Sequence, residues 1–409
     1  MPIVSLLYSI QYCLVRIYFL LRTRFRGKKE NCLNSEGISI LIPSYDEVLT
    51  IKDCIESILN AKRYFPIEII IVDDGKGSAT LNYLKRRYCF ERIDAYEKDF
   101  KDMNIRHIYM TRSDVRIYVI DKENEGKSKA LNTAIRLAHY NYFMSIDGDT
   151  IIDKRCLMEM HKLLGEEIIG IGGNIVPARY KGNILGKALC FYQRWEYFRN
   201  FSSTRIAYNC LKCVPLMSGA LSLFNKKAVI ESGGYKDDTL GEDFDLTLKL
   251  HEYSRRNGGR IIYTEKAVAY TQVPFDLKSF YKQRLRWQIG FLQVLRKHYR
   301  LLIKPSLLSL ILNLMNLYES LSVIIILLLM IINYRTVIIF TLFTALASMI
   351  ELGILKHIND EAEDTNLLVL ALFQIIMNIF NMFIRLIGII KVFILKENIT
   401  WGRVKRKKI

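Results

Sequence analysis

The stretch FMSIDGDTII, residues 143–152, runs from apolar residues into two carboxylates that flank a glycine. This pattern is typical of a buried strand that ends in a turn. Residues two apart at a strand end point the same way, and Gly148 allows close approach to the backbone. Asp147 and Asp149 could therefore hold Mg²⁺ or Mn²⁺, which prefer hard oxygen ligands. Taken alone, the pattern favours an ordinary turn.

Strands and helices alternate on the amino-terminal side of this stretch. Strands are predicted at ISILIPSY (38–45) and IEIIIVDDG (67–75), and amphipathic helices at 51–61 and 127–140. This order predicts an α/β fold with a mostly parallel sheet, which binds ligands at the carboxyl ends of its strands. The polar residues of PSYDE, DDG and DGDT all fall at such ends. The intervening residues 75–124 are polar and weakly periodic, and they are predicted to be a surface elaboration without chemistry.

The charge of the chain is unevenly distributed. Lys and Arg outnumber Asp and Glu by 59 to 41, a formal net charge of +18 over 409 residues. Basic clusters at 22–29 and 403–408 flank apolar residues at both ends of the chain, a pattern that marks the cytoplasmic side of a bilayer and attracts anionic lipids. The charge therefore indicates contact with membrane lipids, and no nucleic-acid partner is expected. The scattered cysteines, including Cys210 and Cys213, are predicted to be free thiols.

Composition divides the chain into five predicted regions. They are an anchor helix at 1–21, a basic linker at 22–36, a cytoplasmic catalytic domain at 37–298, transmembrane and interfacial helices at 299–396, and a basic tail at 397–409. Within the fourth region the apolar zones are 307–332, 336–355 and 366–395. Polar residues such as Asn313, Asn381 and Arg385 interrupt them, which indicates either a polar-lined passage or helices at the membrane surface.

Two further stretches could carry chemistry. GEDFDLTLKLHE (241–252) places carboxylates at the start of a helix, where they either stabilise its amino terminus or include a general base. KQRLRWQIG (282–290) combines arginines, which suit phosphate, with an indole that suits a sugar face. Alone, the first stretch favours the capping role, and an interfacial basic–aromatic belt explains the second.

Taken together, the motifs resemble those of the membrane-embedded family 2 glycosyltransferases, which include synthases of poly-N-acetylglucosamine, hyaluronan, chitin and cellulose. The matching motifs cover nearly the whole chain, in the family's order: PSYDE, VDDG, ENEGKSKALN, DGDT, MSGALSLF, GGY, GEDFDLT, VPF, QRLRW and WGR. The resemblance implies a GT-A-type sheet with flanking helices, followed by an all-α transmembrane region in a multi-pass protein of the cell membrane.

The resemblance also implies residue roles. On the nucleotide side it implies Tyr45, Glu47, Asp73, Asp74, Lys127 and Asp147, with Arg286 at the diphosphate. Asp149 would be the direct ligand of Mg²⁺ or Mn²⁺, helped by Asp147. The sugar and acceptor positions would be Ser218, Gly219, Ala220, Gln283, Arg284 and Trp287. Asp243 would be the catalytic base with Glu242 beside it, and Trp401 and Arg403 would belong to a segment that closes over the donor.

The implied function is an inverting transferase that uses a UDP-sugar, with UDP-N-acetylglucosamine the preferred choice, to extend and export a β-linked polysaccharide. The alternatives are a non-processive transferase acting on a lipid or lipid-linked acceptor, and an inactive nucleotide-binding membrane scaffold or channel. The chain departs from the family at Asp46, where asparagine is usual, and has one credible amino-terminal span instead of two. The path of export could therefore differ from that of these relatives, or could need a small membrane partner.

Overall fold

The computed structural model describes residues 36–75, 79–93, 103–316, 335 and 367–395. The predicted anchor helix, the zone 336–355 and the basic tail lie outside these residues. So do Trp401, Arg403 and all of the predicted linker except Glu36.

Strands dominate the first half of the described chain, and helices dominate the second. The strands are β1 Ile38–Ser44, β2 Ile67–Asp73, β3 Phe90–Arg92, β4 Ile105–Thr111, β5 Arg116–Lys122, β6 Tyr142–Ile146, β7 Thr150–Ile152, β8 Ile168–Pro177, β9 Leu221–Asn225 and β10 Arg260–Thr271. The α-helices are α1 Ile51–Leu59, α2 Ala79–Arg87, α3 Lys127–Leu137, α4 Cys156–His161, α5 Ile184–Arg199, α6 Arg205–Cys210, α7 Lys226–Glu231, α8 Glu242–Asn257, α9 Leu277–Lys297, α10 Tyr299–Leu302, α11 Leu307–Asn316 and α12 Leu367–Ile389. Single π-helical segments follow α5 and α12, at Asn200–Thr204 and Ile390–Leu395.

The chain forms two compact units. The sheet unit contains the described residues up to 178 together with 208–272, and the helical unit contains 179–207 and the described residues from 273 onward. Within the predicted catalytic domain at 37–298, residues 179–207 and 273–298 belong to the helical unit, and the domain bounds stay a prediction.

The sheet unit is built on one mixed sheet with strand order β3-β4-β5-β2-β1-β6-β9-β8-β10-β7. Strand β1 pairs in parallel with β2 and β6, and β2 in parallel with β5. Strands β8 and β10 form another parallel pair, and the remaining pairings are antiparallel. The prediction of a mostly parallel sheet is thus correct for the central strands and for the β8–β10 pair, and wrong for the other pairings of the described strands. Strands β1 and β2 are continuous apolar runs because both of their faces are buried.

The predicted surface elaboration also needs correction. Residues 75–124 contain α2 and three strands, and β5 within this stretch is buried over most of its length and pairs with β2. The apolar run Ile117–Ile120 is a strand signal of four residues, which polar neighbours obscure. This stretch therefore extends the sheet beside β2.

The helical unit packs α5, α9 and α12 around an aromatic core. Leu189 and Trp195 from α5 meet Phe280 from α9 and Met377 from α12. Asn381 of α12 donates to the Tyr192 hydroxyl at 2.9 Å, so this polar residue faces a neighbouring helix.

One apolar helical segment bears on the membrane prediction. Among the described residues, Phe373–Leu395 is long and apolar enough to cross a membrane. The other predicted spans fall partly or wholly outside those residues, and multi-pass topology stays a prediction.

Candidate active site

The carboxyl ends of the parallel strands gather the first group of site residues. Strand β1 ends at Ser44, which is in register with Asp73 at the end of β2, and Asp73 is in register with Asp121 of β5. Strand β6 ends at Ile146, so Asp147 follows at the same edge. The strand-end motifs PSYDE, VDDG and DGDT therefore meet, as their positions predicted.

The turn after β1 brings Glu47 over the DGD turn. Asp46 adopts φ +55°, a conformation that asparagine and aspartate tolerate better than other residues with side chains. The carboxyl of Glu47 accepts from the Thr50 hydroxyl at 3.0 Å and lies 3.4 Å from where a Cβ on Gly148 would stand. Tyr45 is exposed beside it. This geometry explains why an aspartate can occupy the position where the family has asparagine.

Asp74 is engaged with backbone. Its carboxylate accepts from the Glu125 amide at 3.0 Å and from the Gly126 amide at 2.9 Å. Burial raises the pKa of Asp74, and these amides together with the nearby Lys122 ammonium oppose that rise. Asp74 therefore fixes the loop that leads into α3, and the side chain of Asp73 is fully buried beside it.

A buried lysine supports that loop. The Lys122 ammonium, fully buried, lies 2.7 Å from a Glu125 carboxylate oxygen and 4.0 Å from Asp74. Hydrogen bonds from Lys122, the stronger effect, and from Lys129 together lower the pKa of Glu125 to about 2 against the opposing effect of burial. Sequence reasoning missed Lys122 and Glu125. The strand signal at 117–120, which ends two residues before Lys122, could have indicated this lysine.

Lys127 connects two of the predicted carboxylates. It opens α3, and its ammonium lies 2.7 Å from Asp147 and 3.3 Å from Glu242. Burial disfavours the charged form, but Asp147 and Glu242 outweigh burial and raise the pKa of Lys127. Lys127 is therefore a fixed cation between the DGD turn and the start of α8, in addition to the nucleotide-side position expected for it.

Asp243 is held by the segment 218–220. Its Oδ2 accepts from the Gly219 amide at 3.1 Å and its Oδ1 from the Phe244 amide at 2.8 Å. Gly219 in turn accepts from the Ser145 hydroxyl through its carbonyl, at 3.1 Å. A Cβ on Gly219 would lie 3.2 Å from the Lys127 nitrogen, so a larger residue would crowd the lysine. Ser218 and Ala220 flank this glycine, and the Ala220 amide donates to the Ser218 hydroxyl.

The donor set at the DGD turn suits a divalent cation that shares its coordination sphere with a phosphate. Asp149, only 5% exposed, and Asp147 present hard oxygen atoms on one turn, with the Glu47 carboxylate adjacent. In the part of the chain that the structure describes, no three His, Cys, Asp or Glu side chains form a complete metal cage. Mg²⁺ is commonly held in this incomplete way, by one or two carboxylates, water and substrate phosphates.

The QRLRW residues lie on α9 of the helical unit. The Arg284 guanidinium binds the Glu196 carboxylate of α5 with two hydrogen bonds, one of them 2.8 Å long. It also lies over the rings of Phe280 and Trp287, at 4.8 and 4.7 Å from their centroids. The Trp287 ring itself is 38% exposed. In this unit Arg284 therefore packs against the Trp287 ring. Gln283 and Arg286 are partly buried on the same helix.

Comparison with known proteins connects this geometry to a family. The family model "Glycosyl transferase family group 2" matches residues 142–352, which is more than half of the chain, and "Glycosyl transferase family 2" matches residues 39–233.

Among curated relatives, the poly-β-1,6-N-acetyl-D-glucosamine synthase of Staphylococcus aureus is 30% identical over 290 residues, 70% of this chain and 62% of that protein. The Staphylococcus epidermidis synthase of the same name is 30% identical over 67% of this chain and 59% of its own length. The match thus spans about three-fifths of these relatives.

A solved structure shows the same fold. It is a mannosyltransferase from Pyrobaculum calidifontis in complex with GDP-mannose and Mn²⁺, with a TM-score of 0.55, 15% sequence identity, and coverage of 97% of this chain and 99% of that one.

Proposed function

The chain belongs to glycosyltransferase family 2, and from this membership we propose that it is an inverting glycosyltransferase that transfers sugar from a UDP-sugar to a growing β-linked polysaccharide. UDP-N-acetylglucosamine is the donor we propose, because the curated relatives are named as poly-N-acetylglucosamine synthases. The proposed location is the cell membrane, with the catalytic residues on the cytoplasmic side and the product exported.

The observation that carries this proposal is the placement of Asp243. Its carboxylate is oriented by the Gly219 and Phe244 amides, and its neighbour Glu242 is tied through Lys127 to Asp147 of the DGD turn. A general base must be held within hydrogen-bond reach of the proton it removes. One connected network thus links the proposed base to the proposed diphosphate side.

In the proposed reaction, Asp243 takes the proton of an acceptor hydroxyl. The hydroxyl oxygen then attacks the anomeric carbon from the side opposite the departing UDP, which inverts the configuration. Asp149 and Asp147 would hold Mg²⁺ or Mn²⁺, which neutralises charge on a diphosphate leaving group when bound. Arg286 would add positive charge there, and Trp287 would contact the acceptor sugar.

The test is incubation of the purified full chain with Mn²⁺ and a panel of UDP-sugars. Released UDP and product length are measured together, with and without a chelator. We expect UDP release that depends on the metal, with one preferred donor and a long product. A single added sugar would indicate a non-processive transferase, and absence of release with every donor would favour an inactive scaffold.

A further inference from the structure

The segment between α7 and α8 is held in an unusual conformation directly before the proposed base. It contains Gly233 and Gly234, which adopt φ +86° and +63°, and it ends at Gly241, next to Glu242. Residues with side chains rarely adopt such φ values. The chain therefore enters α8 from a turn that belongs to neither a helix nor a strand. Contacts with other elements are needed to fix this turn.

Helix α3 supplies those contacts on one side of the turn. The Asn132 side chain accepts from the Tyr235 amide at 3.0 Å and donates to the Tyr235 carbonyl at 2.9 Å. The Ser128 hydroxyl donates to the Lys236 carbonyl at 2.8 Å. The Asn132 side-chain amide thus satisfies both the backbone N–H and the backbone C=O of Tyr235, as a neighbouring strand would. Gly234 packs so closely against Asn132 that a Cβ added to this glycine would lie 2.7 Å from the Asn132 side-chain oxygen.

Helix α8 holds the same turn from the other side. The Lys249 ammonium donates to the Gly234 carbonyl and pairs with Asp245 at 2.8 Å. Asp245 is fully buried one turn before Lys249 and two residues after Asp243. Residues Gly234 and Tyr235 therefore connect α3, which carries Lys127, to α8, which carries Asp243.

We propose that Asn132 is a positioning residue for Asp243. This inference rests on the proposed function and deepens it. Asn132 holds the turn at Tyr235, Lys249 ties that turn to α8, and α8 begins with the residues that carry the carboxylate which must meet the acceptor hydroxyl. A shift of about 1 Å at a reacting group can lower the rate on the order of 100-fold, so a contact remote from the chemistry can control it.

The test compares Asn132→Ala with the unaltered chain in turnover and in donor binding. We expect kcat to fall about 10- to 100-fold, while the Kd of UDP in the presence of Mn²⁺ changes less than about twofold, because Asp74, Asp147 and Asp149 keep their own contacts. Asn132→Asp keeps the acceptor for the Tyr235 amide but loses the donor to its carbonyl, and should lose an intermediate amount of kcat. Asn257→Ala is the matched control, since Asn257 is exposed at the far end of α8.

An unchanged kcat in Asn132→Ala overturns the proposal. A parallel loss of kcat and UDP affinity also overturns it, since the residue would then act on the donor site or on folding. If the alanine variant does not fold, Asn132→Asp decides by the same criteria.

Hydrogen exchange of peptides covering 235–243 separates this proposal from the proposed function. Exchange in these peptides should be faster in Asn132→Ala than in the unaltered chain, and unchanged exchange overturns the inference even if the chain is active. If the unaltered chain turns over no UDP-sugar, the proposed function fails on that result alone, and the role in positioning a base fails with it.

Discussion

The individual carboxylates of the strand-end motifs have different partners. Asp74 accepts from two backbone amides, whereas Asp147 pairs with the Lys127 ammonium. Asp149 is more buried and stands beside Asp147 on the DGD turn. These carboxylates look alike in the sequence, but their partners differ. Asp74 fixes a loop, whereas Asp147 and Asp149 form a pair that can bind a cation.

Asp243 is the proposed proton acceptor of the transfer reaction. Asp243→Asn removes the proton acceptor but keeps an oxygen for the Gly219 amide, so turnover should fall by roughly 10²- to 10⁴-fold while UDP binding stays nearly unchanged. Turnover is measured by UDP release and binding by calorimetry. Asp237→Asn, on the exposed part of the preceding segment, is the control and should remain active. Full activity in Asp243→Asn would show that the base is another residue.

Glu125 should stabilise the protein in a pH-dependent way. Its folded-state pKa of about 2 lies below the ordinary 4.5, so its charge stabilises the fold above about pH 4.5, and this stabilisation is lost as pH falls toward 2. Glu125→Gln should cost about 1.5–3 kcal/mol at pH 7, because it removes a hydrogen bond between charged groups. The difference in Tm should shrink at pH 3.

The control for this measurement is Glu123→Gln. Glu123 is exposed, and Lys122 contacts its backbone carbonyl, which the substitution keeps. Thermal unfolding followed by circular dichroism measures both variants at both pH values. A Tm difference for Glu125→Gln that is the same at pH 7 and pH 3 would contradict the prediction.

A largely buried ion pair joins two helices of the helical unit. The Arg284–Glu196 contact links α9 to α5 and underlies the exposed ring of Trp287. Helix α12 packs on α9 closely enough that a Cβ on Gly388 would stand 2.7 Å from the Gln288 side chain. The orientation of the QRLRW helix is therefore set by its neighbours on both sides.

Glu196→Ala should destabilise the protein strongly. It leaves the largely buried Arg284 guanidinium without its carboxylate, and the loss of one partner from a buried ion pair typically costs about 3–5 kcal/mol. Glu167→Ala is the control, because its pair with Arg260 is largely exposed and such pairs contribute about 0–1 kcal/mol. Thermal unfolding should show a large loss of Tm for the first variant only. Equal losses would mean that the Arg284 pair contributes no more than a surface pair.

The whole molecule combines a sheet unit with a helical unit assembled from separate parts of the chain. The apolar segment Phe373–Leu395 keeps several large side chains exposed, among them Ile379 and Phe383. Exposed apolar surface of this kind is expensive in water and favourable in lipid. The proposed membrane location rests on this segment and on the basic clusters that border the apolar ends of the sequence.

The chain should stay with membranes after alkaline carbonate washing. Ile379→Lys combined with Phe383→Lys should shift it toward the wash, because a lysine at the centre of a spanning helix costs roughly 2.5–3.5 kcal/mol. Ile230→Lys, at an exposed position in the sheet unit, should have no such effect. Fractions are compared by immunoblot. Release of the unaltered chain by carbonate would contradict membrane insertion.

Local patterns predicted the central strands well. The runs at 38–45 and 67–75 form β1 and β2, and the predicted helices at 51–61 and 127–140 occur as α1 and α3, ending two or three residues earlier. These elements were predictable because burial imposes a regular spacing of apolar residues. Strands β3 and β4 carried no such signal, since their partly exposed faces accept polar side chains. The sequence also carried no sign of which pairings would be antiparallel.

The order of the motifs was enough to identify the family and to select the carboxylates proposed for the site, because each motif ends or begins a recognisable element. The contacts of these residues and their neighbours follow from the folded chain alone. Lys127 meets Glu242, Asn132 meets Tyr235, and Arg284 meets Glu196. Each pair joins segments that are distant in the chain, and the periodicity of a single segment reports which face is buried but not which partner lies against it.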